Sequence, residues 1–208
     1  MTPVDLCIVG CGGHARSVAD VALDGGTATL IFVDPLAREK EEIYGYTVVT
    51  PQQFLAGGMR ARHHIIALGD NRKREVEFGS FHSSEQGLVS LIARDARIGR
   101  DARIGNGAFV GFGAHVGPSA SIGDDVIVNT RAVVEHEVVV GSHTHVAVCA
   151  ILLGRSRIGR RGILGAGAIV LDNVEICDDV TIGAGAVVTR NIDRPGTYAG
   201  VPARRLHD

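Results

Sequence analysis

The residues best suited to chemistry lie together in Asn129-Thr130-Arg131-Ala132-Val133-Val134-Glu135-His136-Glu137, followed by Gly141-Ser142-His143-Thr144-His145. A histidine titrates near neutral pH and can accept a proton from an attacking nucleophile. A carboxylate beside it can hold the imidazole in one tautomer and stabilise the imidazolium. His136, with Glu137 beside it, could work this way. Adjacent side chains on an extended strand point to opposite sides. The two can meet only if a backbone corner falls there; otherwise Glu135 takes the role. His143 and His115 read as solvated surface histidines. A second feature is the turn Gly10-Cys11-Gly12-Gly13-His14-Ala15-Arg16-Ser17. Backbone N–H groups at such a turn, where a helix begins, suit a phosphate. His14 reads as facing that ligand.

These residues need elements to hold them. An aliphatic residue recurs at every sixth position from Ile92 through Val134 to Val188, often followed by glycine (Gly99, Gly105, Gly117). The fifth position of each hexad is small or β-branched, as at Ala96, Ala114 and Val126. A period of six fits no helix. It fits a solenoid of short strands, in which positions i and i+4 point inward and stacked coils bury aliphatic ladders. The glycine reads as a backbone corner that other residues would strain. No long loop interrupts the series, so a site here must lie on its faces or corners. Flat faces also suit packing into a cyclic oligomer. Before the solenoid, residues 4–9 read as a buried strand, about 15–23 as a helix, 29–33 as a second strand ending at Asp34, and 64–68 as a later one. That is a βαβ pattern. The expected organisation is α/β followed by β: a Rossmann-like domain over 1–86, a parallel β-helix over 87–193 and a tail over 194–208.

Bulk properties set limits. The chain has 208 residues, 45% of them hydrophobic, with a net charge of −2. This gives no reason to expect nucleic acid or a membrane surface as partner. The apolar runs are too short to span a bilayer, and the N-terminus lacks a signal-peptide pattern. Cys7, Cys11, Cys149 and Cys177 have no CxxC spacing and read as reduced cytosolic thiols. Gly10, Gly12 and Ala15 nominally satisfy G-x-G-x-x-[G/A], with Asp34 beyond. About 85 residues make only half a dinucleotide fold, which argues against a dehydrogenase. Half a fold can hold a nucleotide diphosphate such as a nucleotide sugar.

The hexads resemble those of the hexapeptide acyltransferases, in which three hexads make one triangular coil of a left-handed β-helix. Gly200-Val201-Pro202-Ala203-Arg204 resembles that family's ending. The turn at Gly10, Gly12, Gly13 and His14, with Ala67, Gly69, Asn71 and Arg74, extends the resemblance to the sugar O- and N-acetyltransferases. It departs from their pattern at Asp70 and at Pro35, both near the expected base or sugar pocket. The resemblance implies acetyl-CoA as co-substrate, no metal, a nucleotide-sugar substrate and a homotrimer. It places His136 as base beside Glu137, and Gly10, Gly12, Gly13, His14, Asp34, Gly69, Asn71, Arg74 and Asn129 around the substrate. It places His145, Gly154, Ala166 and Ala184 along CoA. The amine of a nucleotide-linked amino-sugar is the expected acceptor. Alternatives are a sugar hydroxyl, as in sialic acid, or a non-catalytic nucleotide-sugar scaffold. A zinc hydratase using His136, His143 and His145 is a further alternative by residue count.

Overall fold

The computed structural model describes residues 3–82 and 87–206. The expected boundary at residue 86 falls outside them. The N-terminal domain runs β1 (Val4–Val9), α1 (Gly13–Asp24), β2 (Leu30–Val33), β3 (Glu42–Ile43), β4 (Tyr46–Val49), α2 (Pro51–Ala56), β5 (Ala61–Ile66) and α3 (Asn71–His82). Its sheet has the order β3-β4-β2-β1-β5, and β4, β2, β1 and β5 are parallel. This is half a doubly wound fold. The later strand begins at Ala61, earlier than 64, because β5 pairs with the whole of β1 from Val4. It ends at Ile66 because Asp70 already caps α3, accepting from the Arg72 and Lys73 amides at 3.0 and 2.9 Å. Asp70 is thus a helix cap. The α2 segment, unforeseen in the sequence, opens on a reciprocal Thr50–Gln53 capping box with Pro51 in its first turn.

From Leu91 to Val188 the chain is a left-handed parallel β-helix of two- and three-residue strands. Each strand pairs with the one 18 residues on, as His115 with Val133, so three hexads make one coil. The coils form three flat faces. One carries Phe109–Val110, Ile127–Val128 and His145–Val146, the second His115–Val116 and Val133–Val134, the third Ser121–Ile122 and Val139–Val140. Val110, Val116, Ile122, Val128, Val134 and their counterparts fill one continuous core with Ala114, Ala120, Val126 and Ala132. Each fully buried aliphatic of this kind contributes about 1.5–3 kcal/mol.

The hexad glycine has a different cause from the one expected. The left-handed residue of each corner falls two positions later: Ser119, Asp125, Arg131, Glu137 and His143 have φ of 58°, 56°, 54°, 59° and 63°. The hexad glycine is instead a contact residue. A Cβ on Gly117 would stand 2.7 Å from the backbone of Glu135 and His136 in the next coil. At Gly117 the missing side chain leaves room for the next coil, whose Val134 carbonyl accepts from the Gly117 amide at 2.7 Å.

The two domains share a core. Ala15, Val18 and Ala22 of α1 cluster with Ala93, Phe109 and Ile127 of the first helix face. Helix α3 lies along the corner between the third and first faces, where Gly107, Asp125, His143, Arg161 and Asp179 stack at 18-residue intervals. Phe78 meets Gly107 and the His143 ring, and Arg74 pairs with Asp125 at 2.9 Å. Glu75 pairs with Arg160 at 2.9 Å and Arg161 at 3.2 Å, and Arg72 reaches Asp179 at 3.3 Å.

Candidate active site

His136 sits at the corner between the second and third faces and is partly exposed. Its Nδ1 lies 3.4 Å from Glu137 Oε1. The condition set by strand geometry is met: Glu137 holds the left-handed conformation of the corner, which turns its carboxylate back toward the ring. Glu135 instead approaches the His136 backbone amide, at 3.3 Å. The other Glu137 oxygen accepts from Arg155 Nε at 3.2 Å. That bond, then the Arg155 charge, hold the Glu137 carboxyl below its ordinary range, so an anion faces the imidazole. Nε2 points away from this pair, toward Gly154 one coil further on.

Gly154, expected along CoA, abuts the His136 ring. A Cβ there would stand 2.5 Å from His136 Cε1 and Nε2. Gly154→Ala is expected to push the ring aside while leaving the coil intact. Displacing a catalytic group by about 1 Å can cost about 10²-fold. Steady-state kinetics beside a thermal melt would check this: kcat falls by that order and Tm holds. Ala166 and Ala184 stack on a different corner, between the first and second faces, where the Gly185 amide donates to the Ala166 carbonyl at 2.9 Å. Within one chain, Gly154, Ala166 and Ala184 therefore line no single groove.

A second cluster lies where α1 covers the first face. Asn129 Nδ2 is 3.2 Å from His145 Nε2. The His14 ring stands 6.4 Å from that of His145 and edge-on to Phe109 at 5.0 Å. Three predicted residues, His14, Asn129 and His145, are thus brought together, apart from His136. Burial, then the neighbouring His145 and Arg74 charges, push His14 down to about 3. Burial, then Arg74, push His145 down to about 4. Both imidazoles are neutral when folded. The unfolded chain binds protons more readily below pH 6.5, so stability holds above that pH and falls as pH drops toward 4. Urea unfolding across pH 4–7 should show this slope, and His145→Gln should flatten it.

Gly10, Gly12, Gly13 and Asp34 form the turn at the carboxyl ends of β1 and β2. Asp34 Oδ2 accepts from the Cys11 amide at 3.0 Å and Oδ1 from Leu36 at 2.8 Å, so its side chain shapes the turn. Gly10 has φ +112° and abuts Ala67 and Leu68; Gly12, Gly13 and Gly69 have open space where a side chain would be. A cleft of about 620 Å³ opens there, lined by Gly10, Asp34, Leu68, Arg72 and Lys73 among others. Its two cations, Arg72 and Lys73, suit a diphosphate.

Three assignments need correction. Asn71 is buried, donating to the Arg161 and Gly162 carbonyls at 3.1 and 2.8 Å and accepting from Arg74. Arg74 is 1% exposed, and its guanidinium is taken up by Asp125 and the carbonyls of Leu68 and His143. Both fasten the domains together and are closed to substrate. His143 is not a solvated surface residue. It is buried, with Nδ1 2.8 Å from Asp125. His136, His143 and His145 face different neighbours, and among the described residues no group of three His, Cys, Asp or Glu side chains has metal-site geometry.

A family model for the PglD N-terminal domain matches residues 5–79, and one for the bacterial transferase hexapeptide matches 101–136. The acetyltransferase domain of PglB from Neisseria gonorrhoeae, solved with acetyl coenzyme A, is 32% identical. It superposes with a TM-score of 0.91 over 99% of this chain and 100% of that one. The chain belongs to the hexapeptide-repeat sugar acetyltransferases. Another member, a mutant perosamine N-acetyltransferase from Caulobacter crescentus in complex with CoA and GDP-perosamine, is 31% identical. Its TM-score is 0.91 over 98% of this chain and 97% of that one. A curated relative, UDP-3-O-acylglucosamine N-acyltransferase of Bordetella avium, is 43% identical over 68 residues, 33% of this chain. The match spans only 19% of that relative's length.

Among these sugar acetyltransferases, the present chain hides a feature that sequence reasoning missed: the Arg74–Asp125–His143 network. Residue type at these corners carries no signal for it, because the other corners are polar as well (Ser119, Arg131, Glu137). No helix of the described residues is long and apolar enough to cross a membrane.

Proposed function

We propose that this chain transfers the acetyl group of acetyl-CoA to the amine of a nucleotide-linked amino-sugar, with His136 as general base. The carrying observation is the His136–Glu137 pair at a corner, with Gly154 clearing space beneath Nε2. Glu137 holds Nδ1 protonated, which leaves Nε2 free to accept. As the amine attacks the thioester carbonyl, His136 Nε2 takes its proton. The C–N bond forms, the C–S bond breaks, and the departing thiolate receives the proton from the imidazolium. Such a base contributes roughly 10²–10⁴-fold.

The working unit is a homotrimer in the cytoplasm. The N-terminal domain covers the first face and one adjoining corner, whereas His136 occupies the corner opposite that face. A nucleotide held by one chain's Gly10–Gly13 turn is therefore served by the His136 of a neighbour. Ala166 and Ala184 on one chain can likewise face Gly154 of the next across a groove that takes CoA. Thiol release from acetyl-CoA over a panel of UDP-, dTDP- and GDP-linked amino-sugars tests the reading. Turnover on one of them is expected. Turnover only on sialic acid would replace the amine by a hydroxyl, and failure to bind acetyl-CoA would overturn the acyltransferase.

A further inference from the structure

Next to the diphosphate cleft lies a second cavity, of about 250 Å³, that the proposed reaction does not use. Val9, Pro35 and Glu77 line both spaces and form the threshold between them. Beyond the threshold the walls are Val33, Phe54, Leu55 and Phe81, with His64 among them. Flat apolar walls with two polar groups suit a planar heterocycle. His64 is 5% exposed, and among the described residues its Nδ1 has no hydrogen-bond partner. Burial holds the His64 pKa below its ordinary value, so the ring offers neutral imidazole nitrogens.

We propose that this cavity takes the base of the nucleotide, that the base is guanine, and that Glu77 reads it. The proposal rests on the nucleotide-sugar reading above. The two ends of the ligand sort by charge. Arg72 and Lys73 take the diphosphate, and the apolar chamber excludes it. Glu77 then presents a carboxylate at the threshold. Guanine offers N1–H and its exocyclic amine side by side, a donor pair that matches both carboxylate oxygens. Uracil and thymine offer one N–H between two carbonyls, which the carboxylate repels. Adenine and cytosine set their amine beside a ring nitrogen that accepts. O6 and N7 of guanine accept hydrogen bonds, which suits an imidazole N–H. Pro35 supplies a flat wall, and Glu77 of α3 the carboxylate.

Calorimetric titration of GDP, UDP, dTDP and ADP into the full chain tests this, with acetyl-CoA binding in the same samples reporting a folded enzyme. GDP should bind about 10–100-fold tighter than the others, the worth of a bidentate contact. Glu77→Gln should remove that preference by weakening GDP alone. Tightest binding of UDP or dTDP would overturn the guanine assignment. A GDP preference unchanged by Glu77→Gln would overturn the role of Glu77. Binding of acetyl-CoA but of no nucleotide would overturn the nucleotide-sugar reading itself.

Discussion

Replacing His136 by alanine is expected to lower kcat on the amino-sugar by roughly 10²–10⁴-fold, the usual worth of a positioned base. Acetyl-CoA affinity and Tm should change little. The ring is 42% exposed and contributes no core packing, so its removal opens no cavity. Glu137→Gln should cost less. It keeps the corner and a hydrogen-bond acceptor for Nδ1, and removes only the charge that stabilises the imidazolium. Single-turnover rates with saturating acetyl-CoA separate chemistry from product release. An alanine variant that keeps wild-type single-turnover rates would transfer the role of base elsewhere, and the His14–His145 cluster would be the next place to look.

How far the site was legible follows from where its constraints act. The β-helix was legible because its rule is local and repeats: Val110, Val116 and Ile122 face one core at a fixed spacing. The pairing of His136 with Glu137 was legible only as a condition, since it depends on φ at a single corner residue. The rule assigned to the hexad glycine failed for a nonlocal reason. Gly117 is small because of Glu135 and His136, one coil away. Asn71 and Arg74 were misassigned for the same kind of reason. Their partners lie 51 to 91 positions later. A motif shared with sugar-binding relatives does not distinguish a residue that touches substrate from one that holds the substrate domain in place.

That holding role leads to the second large effect. Arg74 and Asp125 are each 1% exposed and pair at 2.9 Å, with His143 Nδ1 2.8 Å from the same Asp125 oxygen. Burial pulls the Arg74 pKa down, and the Asp125 charge opposes that pull. Asp125→Ala would leave the guanidinium buried among neutral acceptors. Breaking such a pair from one side costs about 3–5 kcal/mol, because the surviving charge is uncompensated. That is a large share of the stability of a typical domain. Removing both charges, as in Arg74→Met with Asp125→Leu, should recover much of the loss. Urea unfolding at one fixed protein concentration would measure the wild type and both variants, since assembly makes apparent stability concentration-dependent. Hydrogen exchange should show α3 losing protection first in Asp125→Ala, because α3 is the strip that joins the domains. If the double variant is no more stable than Asp125→Ala, the cost lies in the corner conformation of residue 125 (φ 56°) and not in the charge pair.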